Sequence, residues 1–267
     1  MILSKRVSLN DKQLDEVSNR IVITAIEEAA GKETTNTTAA AGWMGTRITQ
    51  QRRDTLDVTV KFRILVEKRM MHIRENVLEK VNSWASTNSG GWLRISHKPN
   101  RRLQVVLAQP AAVMDPWNWT DEYTLIFRAY SVPYWEYDGQ GVVNWSTTKA
   151  AASGNGTITI GGTARAQLGV SVTNKSGKDI NNISITIGSR TIAFSGLALR
   201  ANQQLMIAYK RTAEICVPEM KINGTSVMAA RTPESDDEFD LTPGTKAIKW
   251  TAQRAVDIQI SYRERYL

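Results

Sequence analysis

Leu56-Asp57-Val58-Thr59-Val60-Lys61-Phe62-Arg63-Ile64-Leu65 alternates apolar and polar residues, and residues 68–85 just beyond it change to a different period. Leu56, Val58, Val60, Phe62 and Ile64 fall on one side of an extended chain, with Asp57, Thr59, Lys61 and Arg63 on the other, which is the period of two of a strand buried on one face. In residues 68–85, Met70, Ile73, Val77, Val81 and Trp84 recur at three- and four-residue spacing. Met71, Leu78 and Ala85 widen that stripe, while Arg69, His72, Arg74, Glu75, Glu79 and Lys80 occupy the rest, so the spacing predicts an amphipathic helix. A polar run at 86–89 and then Gly90-Gly91 let it end without a proline. No other stretch carries a convincing helical period. The pair defines a first domain of sheet plus one helix, with Ile73, Val77, Val81 and Trp84 expected to face the sheet.

Upstream, residues 2–9 and 21–26 read as strands about a turn at Asn10-Asp11. Residues 29–45 have neither period and read as a long loop: Gly31, a Thr/Asn/Ala-rich tract at 34–41, then Gly42-Trp43-Met44-Gly45. Trp43 is its one large anchor, either an interface hot spot in an oligomer or a core plug in a monomer. Downstream of the helix, residues 92–96 and 103–107 form a hairpin pattern about Lys98-Pro99-Asn100-Arg101. Asp115-Pro116-Trp117-Asn118-Trp119 reads as a turn, residues 123–129 alternate again, and Val132-Pro133-Tyr134-Trp135 closes the unit.

The composition then shifts. Residues 146–162 are rich in Ser, Thr, Ala and Gly, a linker or the first strand of a new unit. Short strands follow at 165–173, 183–187, 191–194, 205–209, 214–217, 247–250 and 256–262, punctuated by Asn174-Lys175-Ser176-Gly177, Gly188-Ser189, Asn223-Gly224 and Pro243-Gly244. Many short strands without helices indicate a β-sandwich. The 267 residues suit two domains, each with an adequate core, and the division is placed at 1–144 and 145–267.

Composition narrows the function classes. Cys216 is the single cysteine, so no intramolecular disulfide forms, and its strand-like surroundings suit a small buried hydrophobe. The N-terminal residues lack the apolar core of a signal peptide, and no apolar run is long enough to span a bilayer, so the chain reads as soluble and made in a cytoplasm. The net charge of +8 invites nucleic acid, but Arg52-Arg53, Lys68-Arg69 and Arg101-Arg102 are scattered pairs without a recognised nucleic-acid motif. His72 and His97 have no partner at metal-ligand spacing, and the acidic run Glu234-Ser235-Asp236-Asp237-Glu238 lacks the spaced ligands and central glycine of a calcium loop. No nucleophile elbow, phosphate loop or dinucleotide fingerprint occurs. The expectation is therefore no catalytic residue, no cofactor and no metal.

In its order of elements the chain resembles the distal tail proteins (Dit) of long-tailed, non-contractile bacteriophages and prophages. The resemblance spans nearly the whole chain: a Gly-containing loop before Thr46-Arg47-Ile48, an Arg-bearing strand at 52–65, one helix ending near Trp84, then the Gly91-Trp92-Leu93 and Arg102-Leu103 strands. It continues through Phe127-Arg128-Ala129-Tyr130-Ser131-Val132-Pro133-Tyr134-Trp135, Leu241-Thr242-Pro243-Gly244 and the closing Tyr262-Arg263-Glu264-Arg265-Tyr266-Leu267. It implies a mainly β protein with an N-terminal tail-tube-like domain of antiparallel sheet plus one α-helix and a C-terminal galectin-like β-sandwich. It further implies a homo-hexameric ring at the virion tail tip. The ring would join the tail tube to the host-recognition apparatus, touch the tail tube, hub or fibre and tape-measure proteins, and let DNA pass without sequence-specific binding.

A closed ring needs two complementary surfaces on each subunit. Trp43 and Met44 are the candidates for one, and Arg47, Arg52 and Arg53, whose guanidinium groups can pair with carboxylates, for the other. A carbohydrate-binding or adhesion module is the alternative, distinguished by Trp117, Trp119, Trp135 or Trp145 lining one exposed groove. An enzyme acting on a wall polymer would instead require a close carboxylate pair in a pocket.

Overall fold

The computed structural model describes residues 5–29, 33–38, 47–67, 70–86, 90–112, 122–139 and 143–267, with backbone alone at 33–38 and 47–53. The chain divides into two compact units, one of 1–135 with the short segment Arg211–Ile215, the other of 136–210 with 216–267. The compositional boundary read at 144/145 lies inside the second unit.

The first unit contains β1 (Val7–Leu9), β2 (Lys12–Gln13), β3 (Ile21–Ala29), β4 (Glu33–Thr38), β5 (Arg47–Arg53), β6 (Leu56–Ile64), α1 (Met71–Ala85), β7 (Gly91–Ile95), β8 (Arg101–Gln109) and β9 (Glu122–Ala129). The alternation that opens the sequence is realised in β6: Leu56, Val58, Val60, Phe62 and Ile64 are buried and the residues between them are not. Strands run in the order β2-β1-β7-β8-β9-β6-β3, each antiparallel to its neighbours. The first half of β8 pairs with β7, as Leu103 with Leu93, and its second half with β9, as Leu107 with Phe127. One strand thus joins β7 and β9 through different stretches of its length.

The helix packs on a face rotated from the one expected. Arg74, Val77, Leu78, Val81 and Ala85 are buried, whereas Ile73 and Trp84 flank the contact half-exposed. Trp84 meets Phe127 edge-on at 6.1 Å and donates its indole N–H to the Lys12 carbonyl at 3.0 Å. Arg74, read as part of the polar face, instead lies inside, its Nη1 3.4 Å from the Tyr123 hydroxyl. A long side chain can bury its methylene stem and keep one polar contact, which periodicity alone does not register.

The long loop expected at 29–45 also needs correcting. Residues Glu33–Thr38 form β4, paired with β5 from Glu33 opposite Arg53 to Thr38 opposite Arg47. Threonine favours extended backbone, but a tract of Glu, Thr and Asn carries no apolar–polar alternation by which to read a strand.

The second unit begins within β10 (Trp135–Tyr137) and continues through β11 (Val143–Ser146), β12 (Ala151–Ile160), β13 (Ala166–Gln167), β14 (Gly169–Asn174), β15 (Ile183–Ile187), β16 (Arg190–Phe194) and β17 (Gln204–Arg211). It closes with β18 (Cys216–Ile222), β19 (Thr225–Ser226), a 3-10 turn at Met228–Ala230, β20 (Asp240–Leu241), β21 (Gly244–Ser261) and β22 (Arg265–Tyr266). The strands expected at 247–250 and 256–262 are parts of β21, an 18-residue strand. Its first half pairs with β12 and β15, and its second half with β14 and β11. The stretch at 146–162 supplies β12, a true strand. One apolar core, including Val170, Ile185, Ile207, Phe239 and Ile258, fills the unit.

Candidate functional site

Trp43 and Met44 lie outside the described residues. Arg47, Arg52 and Arg53 lie together on β5, opposite Thr38, Thr34 and Glu33. Among the described residues β4 and β5 form a two-stranded sheet of their own. A two-stranded hairpin in water is marginally stable by itself, so this arm is suited to resting on another surface.

In the first unit, β3 ends the strand path and carries Glu28, which gathers three groups distant in sequence. Its Oε2 accepts from Lys98 Nζ at 2.6 Å and Trp135 Nε1 at 2.8 Å, and its Oε1 lies 3.1 Å from His97 Nε2. Burial by itself raises the carboxyl, but the hydrogen bonds from Lys98, Trp135 and His97 outweigh it and hold Glu28 below the ordinary carboxylate value. Trp135 is fully buried, with the Lys98 ammonium 4.9 Å from its ring centre. No spacing rule connects positions 28, 97, 98 and 135; folding alone brings them together. Cross-strand partners Asp57 and Arg128 form a two-pronged pair at 2.6 Å on both contacts, and the carboxylate holds the guanidinium firmly protonated.

The described tryptophans of the second unit pack inward. Trp145 meets Trp250 edge-on at 5.9 Å, and the two rings lie over Gly156 and Gly154 of β12, where a Cβ would stand 2.7 and 2.3 Å from them. Trp117 and Trp119 lie outside the described residues. Trp135 and Trp145, the other two named for a sugar-stacking groove, are respectively buried and half-buried.

A polar chain also runs through this unit. Buried Arg265 donates from Nε to buried Glu136 at 3.2 Å and from Nη2 to the Gln167 amide oxygen at 2.7 Å. Gln167 Nε2 in turn donates to Glu238 at 3.2 Å. Burial and the neighbouring Asp240 raise the Glu238 carboxyl above its ordinary value, against the pull of Gln167, Arg190 and Arg265. Burial and the charges of Glu238 and Asp240 likewise push the Tyr209 hydroxyl up. Cys216 is half-buried rather than enclosed, its thiol donating to the Gln167 oxygen at 3.1 Å.

Two members of the acidic run are tied to neighbouring chain. Asp236 accepts from Arg190 at 2.5 Å and from the Thr191 backbone N–H at 2.7 Å, and Asp237 pairs with Arg231. Among the described residues no group of three or more His, Cys, Asp or Glu side chains is placed to hold a metal ion. His72 stands exposed on α1. The polar groups converge on ion pairs and strand ties, an arrangement suited to holding surfaces together.

No family model and no curated protein matches the sequence. Among solved structures, the chain is similar to the Dit protein of phage SPP1, described as a paradigm of the hub adsorption apparatus in phages infecting Gram-positive bacteria. The likeness has a TM-score of 0.66 at 15% identity and covers 98% of this chain and 99% of that one. Two structures of the phage P2 baseplate in its activated conformation, with Ca and with Sr, align at a TM-score of 0.39 and 7% and 8% identity, covering 99% and 97% of this chain and 98% of each of theirs. The chain has the fold of the SPP1 Dit protein over nearly its whole length.

Proposed function

We propose that this chain is a structural, non-enzymatic component of a bacteriophage tail tip, a ring-forming hub between the tail tube and the host-recognition apparatus. The observation that carries the reading is the likeness to the SPP1 hub protein, which extends through both units rather than one. On this reading the chain is made in the bacterial host, assembles as a homo-hexamer, contacts tail-tube, hub or fibre and tape-measure proteins, and lets DNA pass without reading it. The ring-forming part is assigned to residues 1–144 and the sandwich to 145–267.

The subunit contact is assigned to Trp43 and Met44 of one copy against Arg47, Arg52 and Arg53 of the next. The support is the β4–β5 arm, which pairs with no other described strand and gains most from a neighbouring surface. Light scattering during gel filtration tests the reading, with six copies expected per particle. A monomer at all accessible concentrations overturns it. Trp43→Ala is expected to weaken assembly by about 2 kcal/mol per contact, as loss of a central interface tryptophan does, with the monomer's melting temperature unchanged.

A further inference from the structure

In the second unit β12 is an edge strand: among the described residues it pairs with β21 alone, while β15 lies along the other side of the same stretch of β21. The Gly188 N–H donates to the Ala247 carbonyl at 2.8 Å, so the backbone groups of Ala247, and by alternation those of Lys249 and Thr251, point toward β15. Lys246, Ile248 and Trp250 then point toward β12, where they meet Ile158, Gly156 and Gly154. The N–H and C=O groups of Ser153, Asn155 and Thr157 are therefore directed away from the sheet. This open stretch ends at the Tyr262 hydroxyl, which donates to the Thr159 carbonyl at 2.7 Å and accepts from the Gly161 N–H at 3.1 Å.

Edge strands are commonly blunted by charge, by proline or by a covering segment. At the end of the same sheet β16 is covered. Its Thr191 N–H donates to Asp236 at 2.7 Å, its Thr191 carbonyl accepts from the Asp236 N–H at 2.8 Å, and its Ala193 N–H donates to the Ser235 hydroxyl at 2.8 Å. The ten residues of β12 include neither a charge nor a proline, and the one shift in register lies at the start, between Ala151 and Ser153.

We propose that the outer edge of β12 takes up an extended segment of a partner protein as an added strand. Outward N–H and C=O groups at every second residue match a peptide backbone, and an uncharged edge offers nothing to a charged polymer. The faces set the chemistry of the occupant. Side chains of an added strand that lie beside Gly154 and Gly156 fall on the core side, next to the half-buried Trp145 ring over Gly156. Those beside Asn155 and Thr157, which are exposed, face solvent. The occupant is therefore apolar and β-branched on one face and uncharged and polar on the other. The inference holds for a monomer as for a ring, and Trp43→Ala should leave it unchanged.

Fluorescence anisotropy tests it, titrating the full chain into a short labelled peptide alternating Thr and Val, with a Glu at each end for solubility. Saturable binding is expected, weakened about tenfold by Thr157→Pro, which removes an outward N–H. That N–H belongs to no bond between β12 and β21, so proline is tolerated there. Thr157→Val keeps the N–H and should bind as the wild type does. The amides of Asn155 and Thr157 should exchange quickly in the free chain and slowly with the peptide bound. The same peptide N-methylated along its backbone should not bind, and it carries the test if melting curves show Thr157→Pro unfolded. No saturable binding, equal binding by folded Thr157→Pro, or equal binding of the N-methylated peptide overturns the proposal. Self-association that Thr157→Pro abolishes, with no peptide bound, overturns the partner assignment and gives the edge to a second copy of the chain.

Discussion

Replacing Glu28 with glutamine keeps the side chain's shape and removes its charge, which isolates what the contacts to Lys98, His97 and Trp135 contribute. The Glu28 and Lys98 side chains are 20% and 19% exposed. Exposed ion pairs contribute about 0–1 kcal/mol, and removing one partner of a fully buried pair costs about 3–5 kcal/mol. At one-fifth exposure Glu28→Gln should therefore cost about 2 kcal/mol at pH 7. The Trp135 indole keeps an acceptor in the amide oxygen, so the loss falls mainly on Lys98. A cycle with Lys98→Met should show a coupling of about 1–2 kcal/mol. The pH dependence follows from the direction of the shift. The folded-state carboxyl sits below its ordinary value of 4.5, so its contribution is complete above the unfolded value and is lost as pH falls through the folded one. The gap between wild type and variant should narrow in acid. Urea unfolding, read through hydrogen exchange of amides in residues 21–29, measures the first unit by itself. A loss below about 0.5 kcal/mol at pH 7, or one that persists undiminished at the acid end, refutes the reasoning.

Leu78→Ala, at a side chain 1% exposed, should cost about 2–5 kcal/mol, while Glu79→Ala on the exposed face should stay within about 0.5 kcal/mol; thermal melting distinguishes them. Gly162→Ala combines a φ of +88° with a Cβ placed 2.3 Å from the Arg265 carbonyl oxygen, so it should destabilise by at least about 2 kcal/mol and speed proteolysis of the C-terminal residues. Glu238→Gln should stabilise the second unit at pH 7–8 and match the wild type in acid. A carboxyl whose folded-state value is raised contributes fully below its unfolded value and loses that contribution as pH rises through the folded one. Denaturant midpoints across pH measure it.

Local pattern was enough to locate the strands that bury one face and the helix between them. Leu56 to Ile64 alternates because one side is buried, and Ile183–Ile187 is a strand at the positions read from the chain. Side-chain period is a local property that survives any arrangement of the remainder. The same logic fails where a strand has no apolar residues to alternate, as in Glu33–Thr38 of β4, and where a strand continues past a polar interruption, as β21 does through Gln253-Arg254. It also left the helix rotated, because the stem of Arg74 buries as an apolar residue does. What the tertiary structure decided is the charged contacts that join residues far apart in the chain. Glu28 meets Lys98 and Trp135 across 70 and 107 residues, and Arg265 meets Glu136 across 129. Such pairs are set by strand register and chain return. Neither leaves a periodic trace, so composition could show the excess of positive charge but not which carboxylate each cation meets.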